Sequence, residues 1–77
     1  MKVLRKWLKS LREKNKLSQA NIAEKLGITQ NYYSMIESRE RQKDLDLSIA
    51  IKLAEIFNIS MDYIAEQEKK IHESEIK

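Results

Sequence analysis

The sequence predicts an all-α protein, a compact bundle of five short helices. Its 77 residues contain no proline and one glycine, Gly27, so few residues in the chain disfavour helix. Apolar residues recur at three- and four-residue spacings in several separate segments, which is the period of amphipathic helices. The polar stretches between these segments are short, as in bundles in which each helix buries one face against its neighbours.

The composition excludes several classes of protein. Without cysteine, neither a disulfide framework nor a cysteine-based zinc site can form, and a reducing cytoplasm is the expected location. The one histidine, His72, cannot build a metal site alone, and no cofactor is expected. No apolar run approaches the roughly 20 residues of a membrane span. The basic N-terminal residues lack the continuous apolar core of a signal peptide.

The first helix is predicted over residues 2–14, with Asn15 ending it in a left-handed conformation. Basic side chains cover most of its surface, and a basic amphipathic helix could lie on an anionic membrane. A role in the core is favoured, because the helices that follow also need a partner for their apolar faces. The apolar face of this helix consists of Val3, Leu4, Trp7, Leu8 and Leu11.

Residues 19–38, QANIAEKLGITQNYYSMIES, predict two helices that meet at Gly27. Glycine takes the left-handed conformation at low steric cost, which suits a tight turn between helices. Ser18 and Thr29 are the expected N-caps of the two helices. Because the third position after Ser18 is Asn21 rather than Glu, the capping box is expected to be incomplete. The pattern predicts a helix-turn-helix.

Residues 39–46, RERQKDLD, show no helical apolar stripe and predict a polar loop with Leu45 turned inward. A fourth helix is predicted over residues 47–57, with Asp46 as its N-cap. Its apolar surface is so wide that burial on more than one side is expected.

Ser60 is expected to cap a fifth helix, whose apolar pattern becomes sparse beyond Glu66. We therefore place the helix-turn-helix domain at residues 1–66. Residues 67–77 form a charged C-terminal tail that is expected to be either a frayed helix or disordered.

The charge of the chain is unevenly distributed, although the net charge is only +3. Residues 1–25 contain eight basic and two acidic side chains, whereas residues 47–77 contain four basic and six acidic ones. This asymmetry suits a molecule with one side for a polyanion. The alternative is that the lysines form an ordinary solvated surface.

These segments together resemble the Cro/repressor (Xre-type) helix-turn-helix family of phage and bacterial transcriptional regulators, which has the lambda-repressor-like fold. The resemblance covers about residues 4–65, and the segments KLAEIF and NISMDYI are similar to the family's fourth and fifth helices. The loop 39–46 departs from the family, which usually has a glycine and a proline there. The central match falls at the positions where the family has its helix-start glutamine, core alanine, turn glycine and apolar anchors. It consists of Gln19, Ile22, Ala23, Leu26, Gly27, Ile28, Tyr33, Ile36 and Glu37.

The resemblance implies that the third helix enters the major groove of double-stranded DNA. Gln30, Asn31 and Tyr32 are the expected base-contacting residues, with Met35 one turn further on. Glutamine and asparagine amides present a donor and an acceptor side by side, as reading a base edge requires. Adjacent helical side chains point about 100° apart, so Tyr33 is expected in the core and Tyr32 towards the DNA. The alternative is that these are ordinary polar surface residues.

Phosphate contacts are expected around the N-terminus of the second helix, where free amides and the helix dipole suit an anion. Each candidate cation has the alternative of being a plain surface charge, and Lys2, Arg5 and Lys9 are expected on a solvated helix face. The phosphate-contacting candidates are Gln19, Thr29, Arg12, Lys16, Arg39, Arg41 and Lys43.

No arrangement of residues in the sequence predicts an enzyme. Glu37 and Glu40 are expected to form local ion pairs with Arg39 and Arg41, without a second buried carboxylate to share acid–base work. Nucleophile motifs and phosphate-binding glycine loops are absent from the sequence.

The hypothesis from the sequence is a sequence-specific transcriptional regulator, a repressor that binds a near-palindromic operator as a homodimer. Half-sites about 34 Å apart are expected for such a dimer. Phe57 is expected in the core, whereas the expected dimer interface consists of Ile56, Ile59, Met61 and Ile64, with Ile71 as a further candidate. Two alternatives remain open: a protein-interaction module such as an antitoxin, and the DNA-binding part of a longer repressor.

Overall fold

The computed structural model describes residues 4–76, and side chains as far as residue 74, and confirms the all-α prediction over that range. Leu4 and Arg5 precede the first helix, which therefore begins later than residue 2; residues 2 and 3 lie outside the described part. The helices are α1 (Lys6–Lys14), α2 (Gln19–Leu26), α3 (Gln30–Ser38), α4 (Leu47–Phe57) and α5 (Met61–Ile76).

The core lies where the five helices meet, and α2 and α3 form its most extensive helix–helix contact. Trp7, Tyr33 and Phe57 are buried in it, as predicted. Ala23 is also buried, and its small side chain allows close helix packing. The remaining buried apolar side chains are Leu8, Ile22, Leu26, Ile36, Ala50, Leu53, Ile64 and Ile71.

The turn between α2 and α3 has the predicted geometry. Gly27 is left-handed, with φ 74° and ψ 32°, and the Thr29 hydroxyl accepts a hydrogen bond from the Tyr32 amide at 3.1 Å. The expectation of an incomplete capping box was wrong. Ser18 Oγ accepts from the Asn21 amide at 3.0 Å, and Asn21 Oδ1 accepts from the Ser18 amide at 3.1 Å. The shorter asparagine side chain therefore closes the box as a glutamate would.

The left-handed residue after α1 is Lys16, with φ 58°, and not Asn15 as expected. Asn15 has φ −90°, and its Nδ2 donates to the Leu11 carbonyl at 2.7 Å. Its side chain thus satisfies one carbonyl at the helix end, and the chain reverses one residue later, where the Leu17 amide donates to the Arg12 carbonyl at 3.0 Å.

Arg5 is fully buried, which corrects the expectation that it lies on a solvated helix face. Its guanidinium forms a two-pronged pair with Glu68, with Nε–Oε2 at 2.9 Å and Nη2–Oε1 at 2.8 Å. Nη1 also donates to the Ile36 carbonyl at 2.8 Å, and Nη2 donates to the carbonyl of Gln42. One side chain therefore joins α5, the end of α3 and the loop after it, and we call this arrangement the Arg5 clamp.

α5 continues as a helix to Ile76, so residues 67–76, expected as either a frayed helix or a disordered tail, are helical. Glu68 receives hydrogen bonds from Arg5 and from Trp7 Nε1, the latter at 2.8 Å, and Ile71 is buried against the core. These contacts explain the order: a charged tail is stabilised when its charges and scattered apolar residues find partners elsewhere in the fold.

The loop 39–46 contributes Leu45 to the packing around the core, as predicted. Asp46 occupies the N-cap position of α4, but its carboxylate makes no capping hydrogen bond. It accepts instead from Gln42 Nε2 at 3.1 Å, so this side chain orders the loop rather than the helix.

Candidate nucleic-acid interface

The exposed face of α3 presents two of the four residues that were expected to contact bases. Gln30 and Asn31 are exposed, and together with Ser34 and Gln19 they line one open depression. Met35 is half-buried on the same helix. The structure therefore brings three amide side chains from α2 and α3 to one surface, although Gln19 is eleven residues from Gln30 in sequence.

Glu37 links α1, α2 and α3 beneath this surface. Its carboxylate accepts from Arg12 Nε at 2.7 Å, from the Tyr33 hydroxyl at 2.7 Å and from Gln19 Nε2 at 3.1 Å. The expected pairing of Glu37 with Arg39 or Arg41 was wrong, because Glu37 lies on the buried side of α3 and is only 8% exposed. Since one N–H of Gln19 is held by Glu37, its side chain has a fixed direction at the start of α2.

The protonation of this network follows from its geometry. Burial acts to raise the pKa of Glu37, but the hydrogen bonds from Arg12, Tyr33 and Gln19 outweigh it, so the pKa lies below its usual value. Burial, together with the hydrogen bond to Glu37, raises the pKa of Tyr33. The hydrogen bond to Glu37 likewise raises the pKa of Arg12. At neutral pH the network is therefore an ion pair with a neutral tyrosine.

Two of the expected phosphate-contacting cations have internal roles. The Arg12 side chain is 12% exposed, and besides Glu37 it donates from Nη1 to the Leu17 carbonyl at 3.1 Å. Arg39 is 4% exposed, takes the left-handed C-cap position of α3, and donates from Nη2 to the Lys43 carbonyl at 3.4 Å. Both were assigned from their charge and their place in the sequence, which do not distinguish a buried guanidinium from a surface one.

The remaining phosphate-contacting candidates lie at the surface. Lys16, Arg41 and Lys43 are exposed, and Thr29 is exposed while its hydroxyl caps α3. Tyr32 is half-buried, and its hydroxyl oxygen accepts from Gln42 Nε2 at 2.9 Å. Tyr32 is thus held towards the loop end of the exposed α3 face.

A groove between α1 and α3 extends this surface in a direction that the sequence did not indicate. Lys6, Lys9 and Ser10 of α1 line it together with Gln19 and Ser34, the two residues that it shares with the amide depression. Lys9 had been assigned to a solvated face. The spacing of Lys6 and Lys9 shows that they share a helix face, but not which neighbouring helix that face meets.

The residues expected at a dimer interface divide between core and surface. Ile64 is 3% exposed and belongs to the core, which corrects that part of the prediction. Ile71, the further candidate, is also buried. Ile56 and Ile59 are half-buried, and Met61 is 37% exposed. Met61 lines an apolar groove between α4 and α5 whose other lining side chains include Leu45, Leu47, Ala50 and Ile64.

The turn at Gly27 and the exposed face of α3 beside the start of α2 define a helix-turn-helix domain. A family profile described as helix-turn-helix matches residues 8–64, which is most of the chain. The chain belongs to this family, in its Xre/Cro-type branch.

Curated relatives support the same assignment. The chain is 36% identical over 72 residues to the uncharacterized HTH-type transcriptional regulator YqaE of Bacillus subtilis (strain 168), covering 91% of this chain and 60% of that protein. It is 35% identical over 57 residues to the uncharacterized HTH-type transcriptional regulator YobD of the same organism, covering 74% of this chain and 49% of that protein. The chain thus spans between half and three-fifths of the length of these relatives. No solved structure gives a significant match.

Proposed function

We propose that this chain is the DNA-binding module of a transcriptional regulator and reads a specific duplex site with α3. The observation that carries the proposal is the row of amides at the surface of α2 and α3, namely Gln19, Gln30 and Asn31. The major groove admits an α-helix, and each base pair there has its own pattern of donors and acceptors, which amide side chains can read. The Glu37 network beneath the row holds Gln19 and ties α3 to α1 and α2, which supports recognition of one geometry.

Base contacts are assigned to Gln30 and Asn31, with Tyr32 and Met35 nearer the rim of the same face. The first two are exposed at the N-terminal end of α3, the end that enters the groove in this fold family. Met35 is half-buried and offers apolar contact, for example to a thymine methyl group.

Phosphate contacts are assigned to two regions that flank the amide row. On one side lie Gln19, the amides of the first turn of α2, and the groove lysines Lys6 and Lys9. The second region is the loop beyond the C-terminal end of α3, with the exposed cations Arg41 and Lys43. Cations in two regions around a reading helix fit a duplex, in which phosphates border the major groove on both edges. Lys16 and Thr29 remain further candidates at the surface.

The module is proposed to bind as a homodimer on a near-palindrome and to repress transcription. A single module buries too little surface to hold one site against genomic competition, so two copies on half-sites about 34 Å apart are expected. The apolar groove between α4 and α5 supports this, because Met61 at 37% and Leu47 at 68% exposure leave apolar surface to cover. Ile56 and Ile59 are half-buried against the core and remain further candidates for the interface. A dimer on promoter DNA would repress by occupying it.

Selection of binding sites from random DNA tests the proposal. The expected result is a single enriched motif with two-fold symmetry, bound in a stoichiometry of two chains per duplex. An enriched motif without two-fold symmetry would contradict the proposed homodimer but would still support sequence-specific DNA binding. Folded protein that enriches no sequence would contradict DNA reading itself, and a stoichiometric protein partner from the native host would then favour the interaction-module alternative. The greater length of the relatives keeps open that these residues serve within a longer regulator.

A further inference from the structure

Gln42 is the centre of the loop between α3 and α4, although it carries no charge and belongs to no motif. Its backbone is left-handed, with φ 59°, and its carbonyl accepts from Arg5 in the Arg5 clamp. Its side chain makes three contacts: Nε2 donates to the Tyr32 hydroxyl oxygen at 2.9 Å and to Asp46 Oδ2 at 3.1 Å, and Oε1 accepts from the Asp46 amide at 2.8 Å.

These contacts fix which end of the amide faces Tyr32. A backbone N–H can only donate, so the atom facing the Asp46 amide must be the oxygen of Gln42. An ionised carboxylate can only accept, so the atom facing Asp46 Oδ2 must be the nitrogen. The same nitrogen faces Tyr32, and the tyrosine oxygen must therefore accept. Its proton remains available, since within residues 4–76 the Tyr32 hydroxyl makes no hydrogen bond as a donor.

We propose that Gln42 is a positioning residue that holds the Tyr32 hydroxyl as a hydrogen-bond donor towards an acceptor on DNA. The proposal rests on the proposed function, in which the face of α3 carrying Tyr32 lies against a duplex. Gln42 itself touches no base. Its role is to fix both the place of the hydroxyl and its polarity, and the Arg5 clamp keeps the loop residue in the backbone conformation that this requires.

The test reverses the polarity of this hydrogen bond without changing the net charge. Gln42→Glu combined with Asp46→Asn retains an acceptor for the backbone amide of residue 46 and a donor–acceptor pair between the two side chains. The new carboxylate can only accept, so Tyr32 must donate to it and loses its proton for DNA. We expect this double variant to bind the selected duplex roughly tenfold more weakly. This factor is at the low end of the loss in affinity expected when a hydrogen bond to a charged group is removed.

Three comparisons by fluorescence anisotropy make the test specific. Tyr32→Phe should weaken binding as much as the double variant, and adding Tyr32→Phe to the double variant should cost nothing more. Asp46→Asn alone is the matched control, because its side-chain oxygen still accepts from Gln42 and binding should not weaken. Circular dichroism checks that each variant folds. If the double variant does not fold, Gln42→Ala serves instead, and in that background the loss from Tyr32→Phe should shrink at least threefold.

The outcomes separate this inference from the proposed function. Suppose that the wild type selects a site and that Gln30→Ala weakens binding to it. If the double variant then binds as tightly as the wild type, this inference is contradicted and the proposed function is not. The inference also falls if Tyr32→Phe costs as much in the variant background as in the wild type. If the wild type selects no site and its DNA binding does not depend on Tyr32, both fall. A loss confined to the selected duplex identifies a base edge as the acceptor, and an equal loss on unrelated DNA identifies a phosphate.

Discussion

Removing the guanidinium of Arg5 should strongly reduce the free energy of unfolding, although the sequence placed this residue on a solvated helix face. Arg5 has no solvent exposure, and its partner Glu68 has a side chain that is 13% exposed. Arg5→Met keeps most of the volume but leaves a largely buried carboxylate without its cation, which typically costs about 3–5 kcal/mol. The carbonyls of Ile36 and Gln42 lose donors as well. A domain of this length has a total stability of roughly 4–12 kcal/mol, so the loss is a large share.

Urea unfolding followed by circular dichroism measures this free energy, with Lys6→Met as the matched control on an exposed residue next in sequence. The control should change stability by no more than about 0.5 kcal/mol. The double variant Arg5→Met with Glu68→Met should recover part of the loss, because no unpaired carboxylate remains, although the carbonyls lose their donor and Trp7 Nε1 loses its acceptor. If Arg5→Met destabilised the protein no more than Lys6→Met, the Arg5 clamp would not stabilise the fold.

Three further results are expected. Gln30→Ala should weaken the selected site by about 1–3 kcal/mol and leave unrelated DNA nearly unchanged, and an equal loss on both duplexes would contradict base reading. Arg41→Ala should weaken binding to all sequences and reduce the slope of log K against log salt by about one, whereas an unchanged slope would make it a bystander. The pKa of Glu37 is lowered in the folded state, so the unfolded chain binds more protons in acid, and the free energy of unfolding should fall as the pH drops below about 4.5. Glu37→Gln should flatten that decline, which a pH series of urea titrations measures.

The helix-turn-helix was predictable because its signals are local. Gly27, Ser18 and Thr29 act within a few residues of their own positions, so the sequence pattern and the turn chemistry agree with the structure. The helical period also separated fully buried Tyr33 from Tyr32, which is half-buried and packs against the core. Gln30 and Asn31 were placed correctly at the exposed face for the same reason, since the period decides which side of α3 they occupy.

The contacts of Arg5, Arg12 and Gln42 were not predictable, because each depends on a partner that is distant in sequence. Arg5 and Glu68 are 63 residues apart, and nothing in either segment marks the other. Arginine and glutamate in amphipathic helices are usually solvated, so burial of the pair is the exception that a pattern cannot show. The contacts of Glu68 and Ile71 also depend on partners distant in sequence, so the sequence could not distinguish a packed helix from a frayed or disordered tail.

The burial of Arg5 and Arg12 changes the electrostatic argument for DNA binding. Both were counted in the basic excess of residues 1–25, yet each is paired with a glutamate inside the fold and presents little charge to solvent. Among the described residues up to residue 25, the exposed positive charge is therefore carried by lysines, and the two that line the groove beside the amide row are Lys6 and Lys9. Lysine contacts phosphate as a flexible point charge, which contributes affinity and salt dependence but little geometry. In the proposed function, orientation on this side of the duplex comes from the neutral groups, the α2 amides and Gln19, so loss of a groove lysine should weaken binding without altering the preferred sequence.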